Sequence, residues 1–274
     1  MIKVENVEVM GWEAAIRGMR NPLNSWQMSD SIFVEDGEYH DICNNSGPYN
    51  GSVSDTETFF EMGPKDYDLM KRLRNAGTDH RKFMRMITVY LDITAPLYWW
   101  KEFDTYKIGT TANSCSTMHK IADKEFTLDD FSHDHLTKFI PGQDLNGWTL
   151  EENDLITLPN DLSYGYSSIG ILRYIIIKAL NFNRERYLET KDKKYWWQMI
   201  QLLPSSYNQK RTVMLNYEVL ANIYKSRKSH KLDEWVNFCK WIETLPYYEL
   251  ITEENENLTS EELSKTLNEK ENTK

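Results

Sequence analysis

The segment from Gly109 to Thr117 is the most unusual in the sequence for its polar side chains. It contains five hydroxyl groups and one amide within nine residues, with Lys101 and Lys107 before it and His119 after it. Hydroxyls and backbone N–H groups in a turn bind phosphate, and a nearby lysine supplies positive charge. The same composition is typical of a loop that caps the next helix. The sequence therefore predicts an anion-binding loop, with a helix cap as the alternative.

Cys115 lies inside this loop, four residues before His119. A cysteine nucleophile needs a neighbouring base, and a histidine can act as one. A buried, unreactive cysteine is the alternative. Farther along, His133 and His135 are two candidate metal ligands, but the sequence offers no third or fourth ligand beside them, so no metal site is predicted.

Asn216, Asn222 and Arg227 fall within residues 206–227, whose pattern predicts one helix. On such a helix Asn216 and Arg227 are about 20° apart, whereas Asn222 is roughly 120° from Asn216. Amides and a guanidinium group suit planar heterocycles and phosphates. A solvated polar face is the alternative interpretation.

The elements that must position these side chains are strands in the first half of the chain and helices in the second. Residues 2–10 and 86–93 alternate in polarity, which predicts strands. Pro64 and Gly77 bound a helical pattern. Further expectations are loops at 21–60 and 109–117, and helices at 12–19, 97–106, 167–189, 192–203, 206–227 and 231–244. The predicted fold class is α+β, with a small mixed β-sheet and a helical second half.

The composition is that of an acidic globular protein. Apolar residues make up 40% of the chain and the net charge is −10, which excludes a disordered chain and argues against a nucleic-acid polymer as partner. The longest apolar stretch, 169–180, contains Arg173 and Lys178 and is too short to span a bilayer. The three cysteines form no CxxC pair, which is typical of a reducing compartment. We expect a cytoplasmic protein without membrane association.

Three blocks of the chain resemble the flavin-dependent thymidylate synthases. VENVEVMG followed by AAIRGMR is similar to that family's opening strand and helix. LMKRLRNAGTDHRKFMRMITVYLDITAPLYWWKEF is similar to its helix, histidine-containing turn, central strand and following helix. LLPSSYNQKRTVMLNYEVLANIYKSR is similar to its late helix after Leu-Pro. The separations also fit almost without gaps, so the resemblance covers most of residues 1–245.

The resemblance implies an α+β fold assembled as a homotetramer with sites at subunit interfaces. Enzymes of that family bind FAD and dUMP, take a methylene group from a folate and a hydride from NADPH, and thereby make dTMP. Residues 1–250 are then expected to form a single such domain. Seven glutamates and three lysines within residues 251–274 predict an acidic, disordered tail.

The resemblance also implies roles for individual residues. His80 falls on a family histidine near the flavin and the folate, and Asn216 and Asn222 fall on asparagines that contact FAD. Arg227 falls on an arginine that contacts the pyrimidine and helps to polarise it, so it is the expected catalytic and substrate-binding residue. A one-residue slip would instead align Ser229-His230 with a family Ser-His pair.

The family's signature motif is rewritten in this chain. The family has Arg-His-Arg, seven residues and then Ser, whereas the matching positions here are Thr105, Tyr106 and Lys107, seven residues and then Cys115. Lysine does not replace arginine at a bidentate anion site, so we expect the phosphate contacts to be rebuilt. Lys107 is the candidate cofactor ligand in this region. The candidate substrate ligands are Lys101, Thr110, Cys115 and Ser116.

Two functions remain open at this point. The first is a divergent flavin-dependent thymidylate synthase-like enzyme that binds FAD, a pyrimidine nucleotide of the dUMP class, or both, with reductive methylation of dUMP impaired or altered. The second is a catalytically inactive scaffold of the same descent that binds another ligand or a protein partner. A third alternative is an unrelated helical protein whose similarity to the family is accidental.

Overall fold

A four-stranded β-sheet is the largest sheet in the computed structural model, which describes residues 2–35, 58–136, 156–158 and 161–253. Its strands, in the order in which they hydrogen-bond, are β1 (Lys3–Met10), β4 (Thr88–Pro96), β8 (Asn208–Asn216) and β5 (Thr111–Ser114). Together with the helices given below, this sheet confirms the predicted α+β class. The strand predicted at 2–10 is confirmed as β1, and the one predicted at 86–93 is confirmed as β4, which continues through Ala95 to Pro96.

Two antiparallel strand pairs lie outside this sheet. One joins β2 (Ile32–Glu35) to β3 (Thr58–Glu61), and the other joins β6 (Ile156–Leu158) to β7 (Asp161–Tyr166). The loop expected at 21–60 is therefore wrong at β2 and at the start of β3. Phe33 stacks on Phe60 with 4.8 Å between ring centroids, and this contact joins segments that are distant in sequence.

The helices occupy most of the second half of the described chain. They are α1 (Trp12–Arg20), α2 (Pro64–Asn75), α3 (Leu97–Phe103), α4 (Thr117–Lys120), α5 (Ser168–Ile171), α6 (Ile177–Thr190), α7 (Lys193–Leu202), α8 (Tyr217–Arg227), α9 (Asp233–Ile242) and α10 (Glu249–Thr252). A π-helical turn, Leu172–Ile176, joins α5 to α6. Short 3-10 turns lie at Asn21–Leu23, Trp26–Met28, Arg81–Arg85 and Leu128–Asp130. None of the described helices combines the length and apolar character needed to cross a membrane.

The single helix predicted at 206–227 is wrong in its first half, which forms strand β8. Gln209, Val213 and Leu215 are buried, whereas Thr212 is exposed, so burial follows the two-residue period of a strand. Asn216 ends the strand and begins α8. Asn216 and Arg227 consequently do not share a helix face. The loop predicted at 109–117 is wrong as well, because it contains strand β5.

The described chain divides into two compact units that interleave along the sequence. The first contains residues 2–3, 93–104 and the described part of 113–211. The second contains the described part of 4–92, residues 105–112 and residues 212–253. The expectation of a single domain at 1–250 stays a prediction. Ile251 is buried in α10, so the folded part extends just past residue 250, and residues 254–274 of the predicted tail lie outside the described residues.

Each unit has its own core. In the first unit, helices α6 and α7 pack with the segment around Phe131, and the buried side chains are Ile121, Ala122, Phe126, Phe131, Leu172, Ile177, Leu180 and Met199. In the second unit, Trp12 makes edge contacts with Tyr217 at 5.3 Å and with Tyr247 at 5.2 Å between ring centroids. Trp12 is on α1 and Tyr217 opens α8, so this aromatic cluster fixes the start of α8 within its unit.

Candidate functional site

The nine candidate residues divide between the two units. Six belong to the second unit: His80, Lys107, Thr110, Asn216, Asn222 and Arg227. Three belong to the first unit: Lys101, Cys115 and Ser116. Residues 105–112 of the second unit are called the signature segment below, because they begin where the family motif is rewritten.

The signature segment contacts α8 near both ends of that helix. At the start, a Cβ placed on Gly109 would lie 2.8 Å from Nδ2 of Asn216 and 3.3 Å from Cγ2 of Val219. At the end, Nε of Arg227 donates a 3.1 Å hydrogen bond to the hydroxyl of Tyr106. Val219 and Arg227 are separated by two i+4 steps and so lie on the same side of the helix. The signature segment and α8 therefore meet inside one unit.

Asn216 has a structural role at the N-terminus of α8. It is 8% exposed, and its Oδ1 accepts a 3.0 Å hydrogen bond from the backbone N–H of Val219, which is an N-cap. Its Nδ2 faces Gly109, whose φ of +78° is in the left-handed region that favours glycine. Asn216 thus joins the cap of α8 to the backbone of the signature segment.

Substituting Gly109 with alanine tests this junction. We expect a loss of about 2–4 kcal/mol in the free energy of unfolding, made up of left-handed backbone strain and crowding against Asn216. Gly77→Ala is the matched control, since Gly77 also has a positive φ, +99°, but nothing within 4 Å of its Cβ position. The control should lose only about 1–2 kcal/mol from strain. Equal losses in urea unfolding would contradict a close Gly109–Asn216 contact.

Arg227 is half-buried and contacted on several sides. Beside the Tyr106 bond, its Nη1 lies 2.9 Å from Nε2 of His230. Its guanidinium carbon lies 4.8 Å from the centre of the Trp235 ring, in cation–π contact. The bonds in the guanidinium plane and the ring across its face together define one orientation of the group.

Cys239 is the one cysteine of the second unit's described residues, and it lies on α9, four residues after Trp235. Burial raises the pKa of its thiol to about 12, although the nearby charge of Arg227 acts in the opposite direction. The thiol is therefore protonated at neutral pH and unsuited to act as a nucleophile.

A second charged group surrounds Glu218, the second residue of α8. Its carboxylate accepts hydrogen bonds from Nε of Arg81, at 3.1 Å, and from Nε of Arg85. Burial raises the pKa of Glu218, but the hydrogen bonds and charges of Arg85 and Arg81 lower it by more, so the pKa lies below its ordinary value. His80 is exposed at the start of the turn that bears these arginines. The arginine charges are thus partly neutralised within the chain.

The remaining candidates of the second unit differ in accessibility. Lys107 and Asn222 are exposed. Thr110 is half-buried, and its Oγ1 is shielded from solvent with no hydrogen-bond partner among the described residues. A buried hydroxyl without a partner costs about 1–3 kcal/mol, which a ligand group bonded to it would remove. Among the described residues of the signature segment, Thr110 therefore has a side-chain hydroxyl that lacks a hydrogen-bond partner.

The three candidates of the first unit lie around β5, α3 and α4. Lys101 is exposed on α3, whose other face buries Trp99 and Trp100. Cys115 is exposed, and its backbone bonds to β8 residues. Ser116 is the N-cap of α4, since its Oγ accepts a 3.0 Å hydrogen bond from the backbone N–H of His119. The helix-cap interpretation therefore describes the structural role of Ser116.

The sequence does not indicate two of the partners of Arg227, Tyr106 and Trp235. In the sequence Tyr106 is only a departure from the motif, and Trp235 belongs to no motif. The position of Tyr106 at the centre of the motif was the available signal for the first, and no signal indicated the second.

Among the described residues, no three His, Cys, Asp or Glu side chains are arranged to hold a metal ion.

Comparison with known proteins identifies the fold. Thymidylate synthase X from Helicobacter pylori, solved with FAD and dUMP, matches with a TM-score of 0.54 and 16% identity over 92% of this chain and 97% of that chain. The UMP/dUMP methylase PolB from Streptomyces cacaoi, bound with 5-Br UMP, matches with a TM-score of 0.50 and 13% identity over 92% and 94%. No protein-family profile and no curated protein matches the sequence. The chain has the fold of a flavin-dependent thymidylate synthase, which confirms the predicted resemblance at the level of the fold.

Proposed function

We propose that this chain binds FAD, a pyrimidine nucleotide of the dUMP class, or both, and that reductive methylation of dUMP to dTMP is impaired or altered in it. The proposal rests chiefly on one observation, the contact of the signature segment with α8 through Tyr106 and Arg227. The fold supports it, because the two solved structures described above contain a pyrimidine nucleotide.

The donors in the second unit fit such ligands. Arg227 offers an oriented guanidinium group for a pyrimidine carbonyl, where it would stabilise negative charge on the ring. Thr110 offers a hydroxyl with an unmet hydrogen bond. Lys107 would pair with a phosphate, and His80 and Asn222 would contact the flavin. FAD, when bound, supplies the hydride-transfer chemistry.

Other features support an altered reaction. Asn216 uses its Oδ1 to cap α8, and Ser116 uses its hydroxyl to cap α4, so these acceptors are engaged within the chain. Lys107 replaces a bidentate donor with a point charge. Each charged hydrogen bond lost to a ligand costs about 1.5–3 kcal/mol, which is roughly tenfold or more in affinity.

The alternative function is an inactive scaffold with the same fold. This alternative is favoured by the hydrogen bonds that Arg227, Asn216 and Ser116 already make to other residues of the chain. Growth rescue tests the scaffold, because robust growth of a thymidine-requiring strain that expresses this chain would contradict an inactive protein. Uptake of FAD or dUMP tests the first function. NADPH and a methylene-folate enter only where the family's reaction is retained. A homotetramer and a cytoplasmic location belong to the same proposal, and light scattering tests the first of them.

Ligand uptake by the purified protein tests the proposal directly. We expect flavin absorbance bands to stay with the protein after FAD is added and the free cofactor is removed. We also expect dUMP to bind in calorimetry with an affinity that falls as salt is raised, because its phosphate pairs with exposed cations. Colourless protein that binds neither FAD nor dUMP would refute the proposal.

A further inference from the structure

We infer that Tyr106 is a positioning residue that holds the guanidinium group of Arg227 in one orientation before any ligand binds. The inference rests on the proposed function only for the identity of the ligand that Arg227 then meets. The orientation itself is a property of the ligand-free chain and can be measured in it.

Tyr106 contacts Arg227 through both its hydroxyl group and its ring. Its hydroxyl oxygen accepts the 3.1 Å hydrogen bond from Nε of Arg227, and its ring centre lies 5.9 Å from the guanidinium carbon. The ring also makes an edge contact with Trp235 at 6.1 Å between centroids, so the side chain that holds the arginine is itself packed. Tyr106 and Trp235 therefore pack against each other and both contact Arg227.

Rotation of the guanidinium group is restricted by bonds at two nitrogens. Nε is held by Tyr106, and Nη1 lies 2.9 Å from His230, while the guanidinium carbon lies over the Trp235 ring. An unrestrained arginine loses much of its rotamer freedom when a ligand fixes it, and this loss weakens binding. A guanidinium group that is already fixed avoids that loss, so Tyr106 should strengthen the binding of a ligand it does not touch.

The chemistry of the acceptor also matters. A tyrosine hydroxyl accepts a hydrogen bond without adding negative charge, unlike a carboxylate. Arg227 is therefore oriented by Tyr106 without being neutralised by it. This suits a residue whose positive charge must act on a pyrimidine carbonyl or another electron-rich oxygen.

Tyr106→Phe is the decisive variant, because it removes only the hydroxyl and keeps the ring against Trp235. Tyr224→Phe is the matched control, since Tyr224 lies on the helix that carries Arg227 and its hydroxyl donates a 2.7 Å hydrogen bond to Glu243. The first measurement is solvent exchange of the Arg227 Nε–H in ¹⁵N NMR spectra of the ligand-free protein. The second is the dissociation constant for dUMP by calorimetry.

Tyr106→Phe should speed Nε–H exchange severalfold and raise the dUMP dissociation constant about threefold to tenfold, the size expected when binding must immobilise one flexible side chain. Tyr224→Phe should change neither quantity by more than twofold. Unchanged exchange in Tyr106→Phe overturns the inference. Faster exchange with unchanged dUMP affinity overturns the claim that this orientation strengthens ligand binding. Where the wild-type chain binds neither dUMP nor FAD, the proposed function fails, and the exchange measurement still decides whether Tyr106 holds Arg227.

Discussion

Replacing Asp66 with asparagine is expected to lower the free energy of unfolding by about 3–5 kcal/mol, the usual cost of removing one partner from a buried ion pair. Asp66 is fully buried, and its Oδ1 accepts a 2.6 Å hydrogen bond from Nε of Arg20, which is 4% exposed. Its Oδ2 accepts from the hydroxyls of Ser29 and Ser31 at 2.6 and 2.7 Å, and from two backbone N–H groups at 3.1 Å. An asparagine amide would face donors with its own N–H groups in either orientation.

The same carboxylate couples folding to pH. Burial raises the pKa of Asp66, but the hydrogen bonds from Ser29, Ser31 and Arg20 and the charge of Arg20 lower it by more, so the pKa lies below its ordinary value. Such a group stabilises the fold above its unfolded pKa of about 3.9, and this contribution is lost as the pH falls through the lower folded pKa. The wild-type protein should lose stability below about pH 4, and Asp66→Asn should lack that part of the acid dependence.

Urea unfolding followed by tryptophan fluorescence measures both effects. Glu13→Gln is the matched control, because α1 also carries the pair Arg17–Glu13, at 3.3 Å but with side chains 62% and 66% exposed. Exposed pairs contribute about 0–1 kcal/mol, so the control should be close to wild type. A loss below 1 kcal/mol in Asp66→Asn, or an equal loss in the control, would contradict the assigned role.

The predictable elements of the fold are those with local boundaries. Pro64 and Gly77 enclose α2, and the helix forms between them. Strand β8 was not predictable in the same way, because its two-residue period is masked by polar Gln209 on the buried side and apolar Met214 on the other. Its neighbours β4 and β5 lie about a hundred residues earlier. Pairing with them makes this segment a strand and not a helix, and the local sequence pattern does not show that pairing.

The candidate site also contains features that the sequence predicts and features that it does not. Arg227 was identified through the resemblance, and its place at the end of α8 follows from the helix that was expected there. Its contact with Tyr106 was not predictable, since 121 residues separate the two. The helix wrongly predicted in place of β8 also changes the role of Asn216, which caps α8 and does not share a helix face with Arg227. Spacing can place residues on one element, but only tertiary contacts bring two elements to one site.

Replacing Arg227 with alanine is expected to weaken dUMP binding by roughly tenfold to a hundredfold, the range for losing a hydrogen bond to a charged group, about 1.5–3 kcal/mol. Arg227→Lys keeps the charge but not the planar fork, so it should fall between alanine and wild type. Calorimetry measures the affinities. Urea unfolding of each variant separates this effect from lost packing on Trp235, which itself contributes about 0.5–2 kcal/mol.

The matched control for charge is Lys225→Ala, which removes one positive charge from the exposed side of the same helix. At physiological ionic strength an exposed charge acts weakly beyond about 8 Å, so the control should change the dUMP affinity less than twofold. Combining Arg227→Ala with Tyr106→Phe tests whether Tyr106 acts through Arg227. If Tyr106 acts only through Arg227, the double variant binds dUMP no more weakly than Arg227→Ala alone. Additive losses would mean that Tyr106 contacts the ligand directly, and equal losses in Lys225→Ala would mean that net charge, and not the oriented guanidinium group, attracts the nucleotide.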